Sequence, residues 1–345
     1  MKAPVAITGA GAVTPLGADA ALWTRPAAAA PGSGGAVDIP LADLPEAVAG
    51  RAARAERVSQ LALVAGGAAL AASGLDVTDG PPRAGIGVVL GTAFGCFLTN
   101  AAYQRRLAAG GTAAASPRLF AATVSNAAAG ELAIAYRLGG PAVTLTAGAA
   151  AGLLALGHAT DLLRAGRADA LVAGGMDALG EAVRRWLADG GLDIGRAPAE
   201  AAAAVVLEPL ATAARRGVRV RGVVAGSASG FEPEPAAGVG AGLRAAVTAA
   251  ITEAGLEPGA IGIVVSAAPP ALVALEERVI AGVLGSRRPP RMAPKDVLGE
   301  TFGAAGPLGL LAALAAVPRG AAALVLDVCA SGHVAALVAR RAEDG

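Results

Sequence analysis

The sequence predicts a layered α/β fold made of two related halves, and three observations carry that reading. Short apolar runs without charge alternate with stretches of helical period, the pattern of strands covered by helices on both faces. The run Ala72-Ser73-Gly74-Leu75 followed by Gly85-Ile86-Gly87-Val88-Val89 recurs as Glu253-Ala254-Gly255-Leu256 followed by Ile261-Gly262-Ile263-Val264-Val265. Finally, 345 residues that are 54% hydrophobic but 3% aromatic, with 49 glycines, imply a large core filled by Ala, Val and Leu at close approach.

Within the apolar stretch Ala3 to Val13, Ile7-Thr8-Gly9-Ala10-Gly11 reads as a strand that runs into a glycine turn rather than as part of a signal peptide. A helix closes at Gly74, since glycine adopts the left-handed conformation that ends a helix, and a strand begins near Gly85. Ala142 to Thr146 is an uncharged strand, followed by a sharp turn, a helix from Leu153 to Leu163 and a strand from Ala168 to Ala173. Glu208 to Arg216 reads as a polar helical connector. Beyond it a helix closes at Gly255, a strand runs from Ile261, a helix spans Leu308 to Ala316 and a strand spans Ala321 to Val328. The halves are therefore residues 1–207 and 219–345, joined by 208–218, with any site expected where they meet. That symmetry sets the turns near Ala149 and Glu300 in related positions.

Composition narrows the function. The 28 basic and 27 acidic residues are mixed along the chain and give a net charge of +1, which offers no basic stripe for nucleic acid. Cys96 and Cys329 form neither a CxxC motif nor a disulfide framework, so a reducing cytoplasm is expected. His158 and His333, the two histidines, lack ligand spacing, so no metal is expected. The uncharged stretches 138–160 and 301–318 are broken by Pro and Gly and switch period, which argues for strand-helix pairs rather than membrane spans.

The turn Ala147-Gly148-Ala149-Ala150-Ala151-Gly152 is where a strand-to-helix enzyme turn would present its nucleophile, yet it carries only alanine and glycine. Around it the chain resembles the thiolase-fold β-ketoacyl-ACP synthases of fatty-acid and type II polyketide biosynthesis. Val5 to Gly17 is similar to their opening strand and loop, Ser125-Asn126-Ala127-Ala128-Ala129-Gly130 to a helix start, and Gly139-Gly140-Pro141 to the entry of the nucleophile strand. Ala173-Gly174-Gly175 resembles the following strand end, and Lys295 with Gly303-Ala304-Ala305-Gly306 a late loop and helix.

The resemblance implies a five-layer αβαβα thiolase-like architecture and a Cys-His-His centre, of which this chain has Ala149, Ala268 and Glu300. Alanine has no lone pair with which to attack a thioester. A carboxylate at an oxyanion-donor position repels developing negative charge, where losing one donor already costs ~3 kcal/mol or more. Glu300 and Lys295 are close enough in sequence to form an ion pair instead. In the loop resembling the family's phenylalanine gate, Ala330 stands at the gate position, and His333 reads as a loop or interface residue. Between Gly175 and Ala202 the chain is shorter than family members usually are.

Such degeneracy resembles the chain length factor, or ketosynthase β subunit, although the glutamine typical of its turn is absent. That resemblance implies a cytoplasmic subunit without cofactor, paired with a catalytic ketosynthase through Ala142, Val143, Thr144, Leu145 and Thr146, and reached by acyl carrier protein through the complex. Nucleic acid and membrane are not expected partners. Three rivals remain: an acyltransferase with a relocated nucleophile at Cys96 or Ser266, neither with an identifiable base; a ligand-free structural homodimer; and a nicotinamide enzyme. The last is weakened because Thr14 replaces the third glycine of a dinucleotide fingerprint.

Overall fold

The computed structural model describes residues 3–18, 34–75, 77, 79–190 and 194–342. Its strands are β1 (Val5–Val13), β2 (Ile86–Thr92), β3 (Ala142–Thr146), β4 (Ala170–Asp177), β5 (Ala201–Pro209), β6 (Gly222–Phe231), β7 (Ile261–Ser266), β8 (Arg291–Met292), β9 (Ala322–Val328) and β10 (His333–Arg341). The helices are α1 (Glu46–Ala52), α2 (Arg57–Ser73), α3 (Phe97–Gly110), α4 (Pro117–Ala121), α5 (Ala127–Ala135) and α6 (Ala151–Arg164). They continue as α7 (Glu181–Asp189), α8 (Leu210–Arg216), α9 (Ala241–Glu253), α10 (Val273–Leu284), α11 (Lys295–Leu298) and α12 (Ala305–Ala316).

The strand order β3-β2-β4-β5-β1-β6-β10-β9-β7-β8 is a palindrome when β1 to β5 are matched in sequence with β6 to β10. In each half the inner strand of a parallel trio, β2 or β7, is flanked by β3 and β4 or by β8 and β9. The remaining pairings are antiparallel, and the halves join where Val5 to Ile7 of β1 meet Gly222 to Val224 of β6.

Alternating side chains divide the core into layers. Val89, Leu171, Val205, Val265, Val325 and Leu337 point inward to α6 and α12 and form one cluster with Leu153, Leu156 and Leu308. Their neighbours Val88, Val172 and Val206 point outward to α2 and α5, while Val264, Leu324 and Val338 point outward to α9. Helix, sheet, helix, sheet, helix is the resulting order, and the all-apolar strands follow from burial on both faces.

Two expectations change. The Gly9 and Gly11 pair is no turn but the interior of β1, because α2 lies almost on the strand. A Cβ on Gly9 would stand 2.0 Å from the Ala69 carbonyl oxygen, and one on Gly11 2.3 Å from that of Ala65. Glu208 belongs to β5 rather than to a helical connector, which begins at Leu210. Its buried carboxylate accepts from the Thr8 hydroxyl at 2.7 Å and pairs with Arg216 at 2.6 Å.

Replacing Gly9 by Ala should therefore push α2 off the sheet and lower stability by about 2 kcal/mol or more. Gly50 in α1 has nothing within 4 Å of its would-be Cβ, so Gly50→Ala should raise stability by about 0.5–1 kcal/mol. Chemical denaturation of the two variants checks both signs.

Candidate functional site at the strand ends

In open parallel α/β sheets, ligands bind beyond the carboxyl ends of the strands. Here contacts across the junction bring the strand ends of both halves together. A Cβ on Gly148, just after β3, would lie 3.4 Å from Cys329 Sγ and from Ser331 Oγ, just after β9. Gly303, before α12, lies against Gly152 at the start of α6 and Gly175 in β4.

Ala149 sits half-buried at the tip of the turn, in a bridge with Ala147, and α6 starts two residues later. The strand feeding it, β3, is the sheet's outermost strand in the N-terminal half, with Ala142 and Thr146 exposed and Val143, Thr144 and Leu145 partly covered. Ala268 is buried after β7, where its carbonyl accepts from Arg196 at 3.2 Å.

Lys295 Nζ lies 2.7 Å from Glu300 Oε1, and both side chains are nearly enclosed. This is the ion pair expected from their proximity in sequence. The approach is close without the alignment of a hydrogen bond, and Oε1 takes its aligned bond from the Phe302 N–H at 2.9 Å. The next amide, of Gly303, donates to Asp177 at 2.8 Å. Two carboxylates thus fix consecutive amides, which holds Phe302 at φ 48°, a left-handed value that costs a non-glycine residue energy. Its ring packs edge-on against Phe94 at 4.9 Å.

Asp177 is wholly buried, and burial pushes its carboxyl up to about 6. Hydrogen bonds from Thr92, Ala93, Phe94 and Gly303 pull the other way. Asp327 in β9 is equally buried, but neither oxygen has a hydrogen-bond partner among the described residues. Burial drives its carboxyl up to about 7, opposed by the Lys295 charge and reinforced by Glu300 and Glu276. Glu276 is also raised by burial, against the pull of Arg291 at 2.6 Å.

The two sequence candidates for a relocated nucleophile serve the structure. Cys96 is buried, donates to the Thr123 carbonyl at 3.0 Å and accepts from Asn100 at 3.2 Å. Ser266 caps the backbone N–H of Ala268 and accepts from Arg291 at 2.9 Å. The arrangement that sequence reasoning missed is in the exposed turn containing Ala330. Cys329 Sγ lies 2.9 Å from Ser331 Oγ, which lies 3.0 Å from His333 Nδ1. The signal was the alternation Cys-x-Ser-x-His, which a tight turn folds onto one side.

An orphan carboxylate titrating at about 7 in the fold and near 4 when unfolded takes up a proton on folding between those values. Its stability contribution is full below about pH 4 and lost as pH rises toward 7. Thermal unfolding should show native protein losing stability from pH 5 to 8 faster than Asp327→Asn. At pH 8 the variant should be the more stable, by up to roughly 4 kcal/mol; parallel pH profiles would refute this.

Residues 42–213 match the model of the β-ketoacyl synthase N-terminal domain. An actinorhodin polyketide putative beta-ketoacyl synthase 2 from Streptomyces coelicolor is 36% identical over 129 residues, a stretch that is 36% of this chain and 32% of that relative. The match thus spans about a third of the curated relative. A β-ketoacyl synthase from Burkholderia phymatum superposes with a TM-score of 0.84 at 21% identity. The ishigamide ketosynthase/chain length factor gives 0.81 at 23%. A type II polyketide synthase acyl-carrier protein in complex with its ketosynthase bound to the hexaketide gives 0.81 at 21%. Each superposition covers 99% of this chain and 100% of the other, and at these identities they establish the thiolase-like fold. Sequence match and fold together make the chain a member of the β-ketoacyl synthase family.

Proposed function

We propose that this protein is a ketosynthase-like subunit of chain length factor type, which pairs with an active β-ketoacyl synthase and shapes the tunnel holding the growing acyl or polyketide chain. The observation that carries the reading is the condensing centre itself. Ala149 occupies the nucleophile turn, Ala268 is a methyl where an imidazole is needed, and Glu300 is committed to Lys295. None of the three supplies a thiolate to attack a thioester or a free donor for an oxyanion. In this reading residues 1–207 and 219–345 are the two halves, 208–218 links them, and the protein works in the cytoplasm.

The partner surface proposed is β3, Ala142 to Thr146. An outermost strand offers unpaired backbone groups to a second chain, and its side chains are neither charged nor fully covered. A stable interface there buries on the order of 2,000 Å² or more. Acyl carrier protein reaches this subunit through the complex. Two structural relatives, a ketosynthase/chain length factor and a ketosynthase with its acyl-carrier protein, support the same assembly. A second reading, a relocated nucleophile, is favoured by one observation only, the contact chain at Cys329.

Co-expression with an active ketosynthase of the same gene cluster, where one is encoded, should yield a stable complex. Ala142→Arg with Thr146→Arg, at positions exposed in the free subunit, should weaken that complex at least about tenfold (~1.4 kcal/mol) with no change in melting temperature. Ala149→Cys should leave condensation of acyl and malonyl thioesters by the isolated subunit at background. Absence of a complex, or condensation by the native subunit alone, defeats the proposal.

A further inference from the structure

We infer that Cys329 is an acyl-accepting thiol, with Ser331 and His333 as its proton relay, and that it exchanges acyl groups with thioesters beside the blank turn. This goes beyond subunit pairing and does not depend on it: the relay belongs to the folded chain, whether or not a partner is bound.

Three features place the relay. The turn between β9 and β10 is closed by the Cys329 N–H donating to the His333 carbonyl at 3.1 Å and the Gly332 N–H donating to the Cys329 carbonyl at 2.9 Å. Gly332 makes it possible with φ +90°. The turn sets Cys329, Ser331 and His333 in hydrogen-bond sequence, and the imidazole is held edge-on against Phe231, with ring centroids 5.6 Å apart. The thiol itself is buried against the other half, 3.7 Å from the Ala147 carbonyl and next to Gly148. On its other side Ala147 lines a cavity of about 300 Å³, walled by Leu145, Leu153 and Leu154 and by the polar side chains of His158, Asp161 and Ser227.

The chemistry balances without an external reagent. The thiol proton passes to Ser331 Oγ as the Ser331 proton passes to His333 Nδ1. The thiolate attacks the carbonyl carbon of an acyl thioester, forming a sulfur–carbon bond and an oxyanion. Collapse of that intermediate breaks the bond to the donor's sulfur, and the departing thiolate recovers the proton from the imidazolium. One thioester replaces another, so the exchange is close to neutral in energy and freely reversible. Condensation does not follow, because donors to stabilise a carbanion formed from a malonyl thioester are missing from the positions of Ala268 and Glu300. Cys96 lacks such a relay, its thiol being held between Thr123 and Asn100.

The experiment is acylation of the full chain by the hexanoyl thioester of N-acetylcysteamine, followed by intact and peptide mass spectrometry across pH 6 to 9. A single hexanoyl group should appear on Cys329, unaffected by Cys96→Ala and abolished by Cys329→Ser. His333→Gln and Ser331→Ala should each slow acylation at pH 7 by about tenfold to a hundredfold. They should also shift the pH dependence toward that of an unassisted thiol, a change that a purely structural role would not produce. Circular dichroism and melting temperature verify that each variant is folded. No adduct, an adduct on Cys96, or equal rates and pH profiles in His333→Gln and native protein would overturn the assignment. Loss of acylation with intact pairing, or the converse, separates this inference from the proposed assembly.

Discussion

Three glycine backbones in contact at the junction of the halves set the geometry of the rest. A methyl group on Gly152 or on Gly175 would stand 2.0 Å from the carbonyl oxygen of Gly303. The start of α6, the end of β4 and the turn into α12 therefore occupy space that no side chain could share. Asp177 secures the arrangement by binding the amide of Gly303 from one half and those of Ala93 and Phe94 from the other side of the contact. A buried carboxylate is costly, and the four donors around Asp177 offset that cost.

That contact brings strand ends from both halves to one place, so chemistry absent from one half can be presented by the other. The turn at Ala149 in the N-terminal half carries only alanine and glycine, and the turn after β9 in the C-terminal half sets a thiol against the same backbone. The positions around them are rigidly assigned. Lys295 and Glu300 neutralise each other, Glu300 and Asp177 fix the amides of Phe302 and Gly303, and Arg291 spans Glu276, Glu277 and Ser266. Lys295, Glu300 and Asp177 are thus held by one another and by backbone amides.

How much of this the sequence disclosed depends on the range of each interaction. The duplication was legible because apolar runs and helix-ending glycines are local patterns, and Gly74 and Gly255 do end helices with φ of 66° and 65°. The Lys295–Glu300 pair was legible for the same reason. The role of Gly9 and Gly11 was not, since glycine in a turn and glycine under a helix look alike until the distant Ala65 and Ala69 are placed. Glu208 was assigned to a helix because one of its partners, Thr8, is 200 residues away. The Cys329 relay was not legible, because Cys329, Ser331 and His333 meet only when the turn after β9 folds alternate residues onto one side.

Asp177 and Asp327 together show where the fold bears an unrecovered cost. Both are fully buried near the carboxyl ends of matched strands, β4 and β9, yet one has four donors and the other has none. Stability alone gives no reason to keep the second, since a buried polar group without partners is destabilising by about 1–3 kcal/mol and an apolar residue would avoid the penalty. Local rules are broken without compensation chiefly where a site demands it. Asp327 is two residues from Cys329 on the same strand end, so the uncompensated carboxylate and the thiol relay fall together. The end of β9 is therefore where the buried carboxylate and the proposed thiol relay come together in the chain.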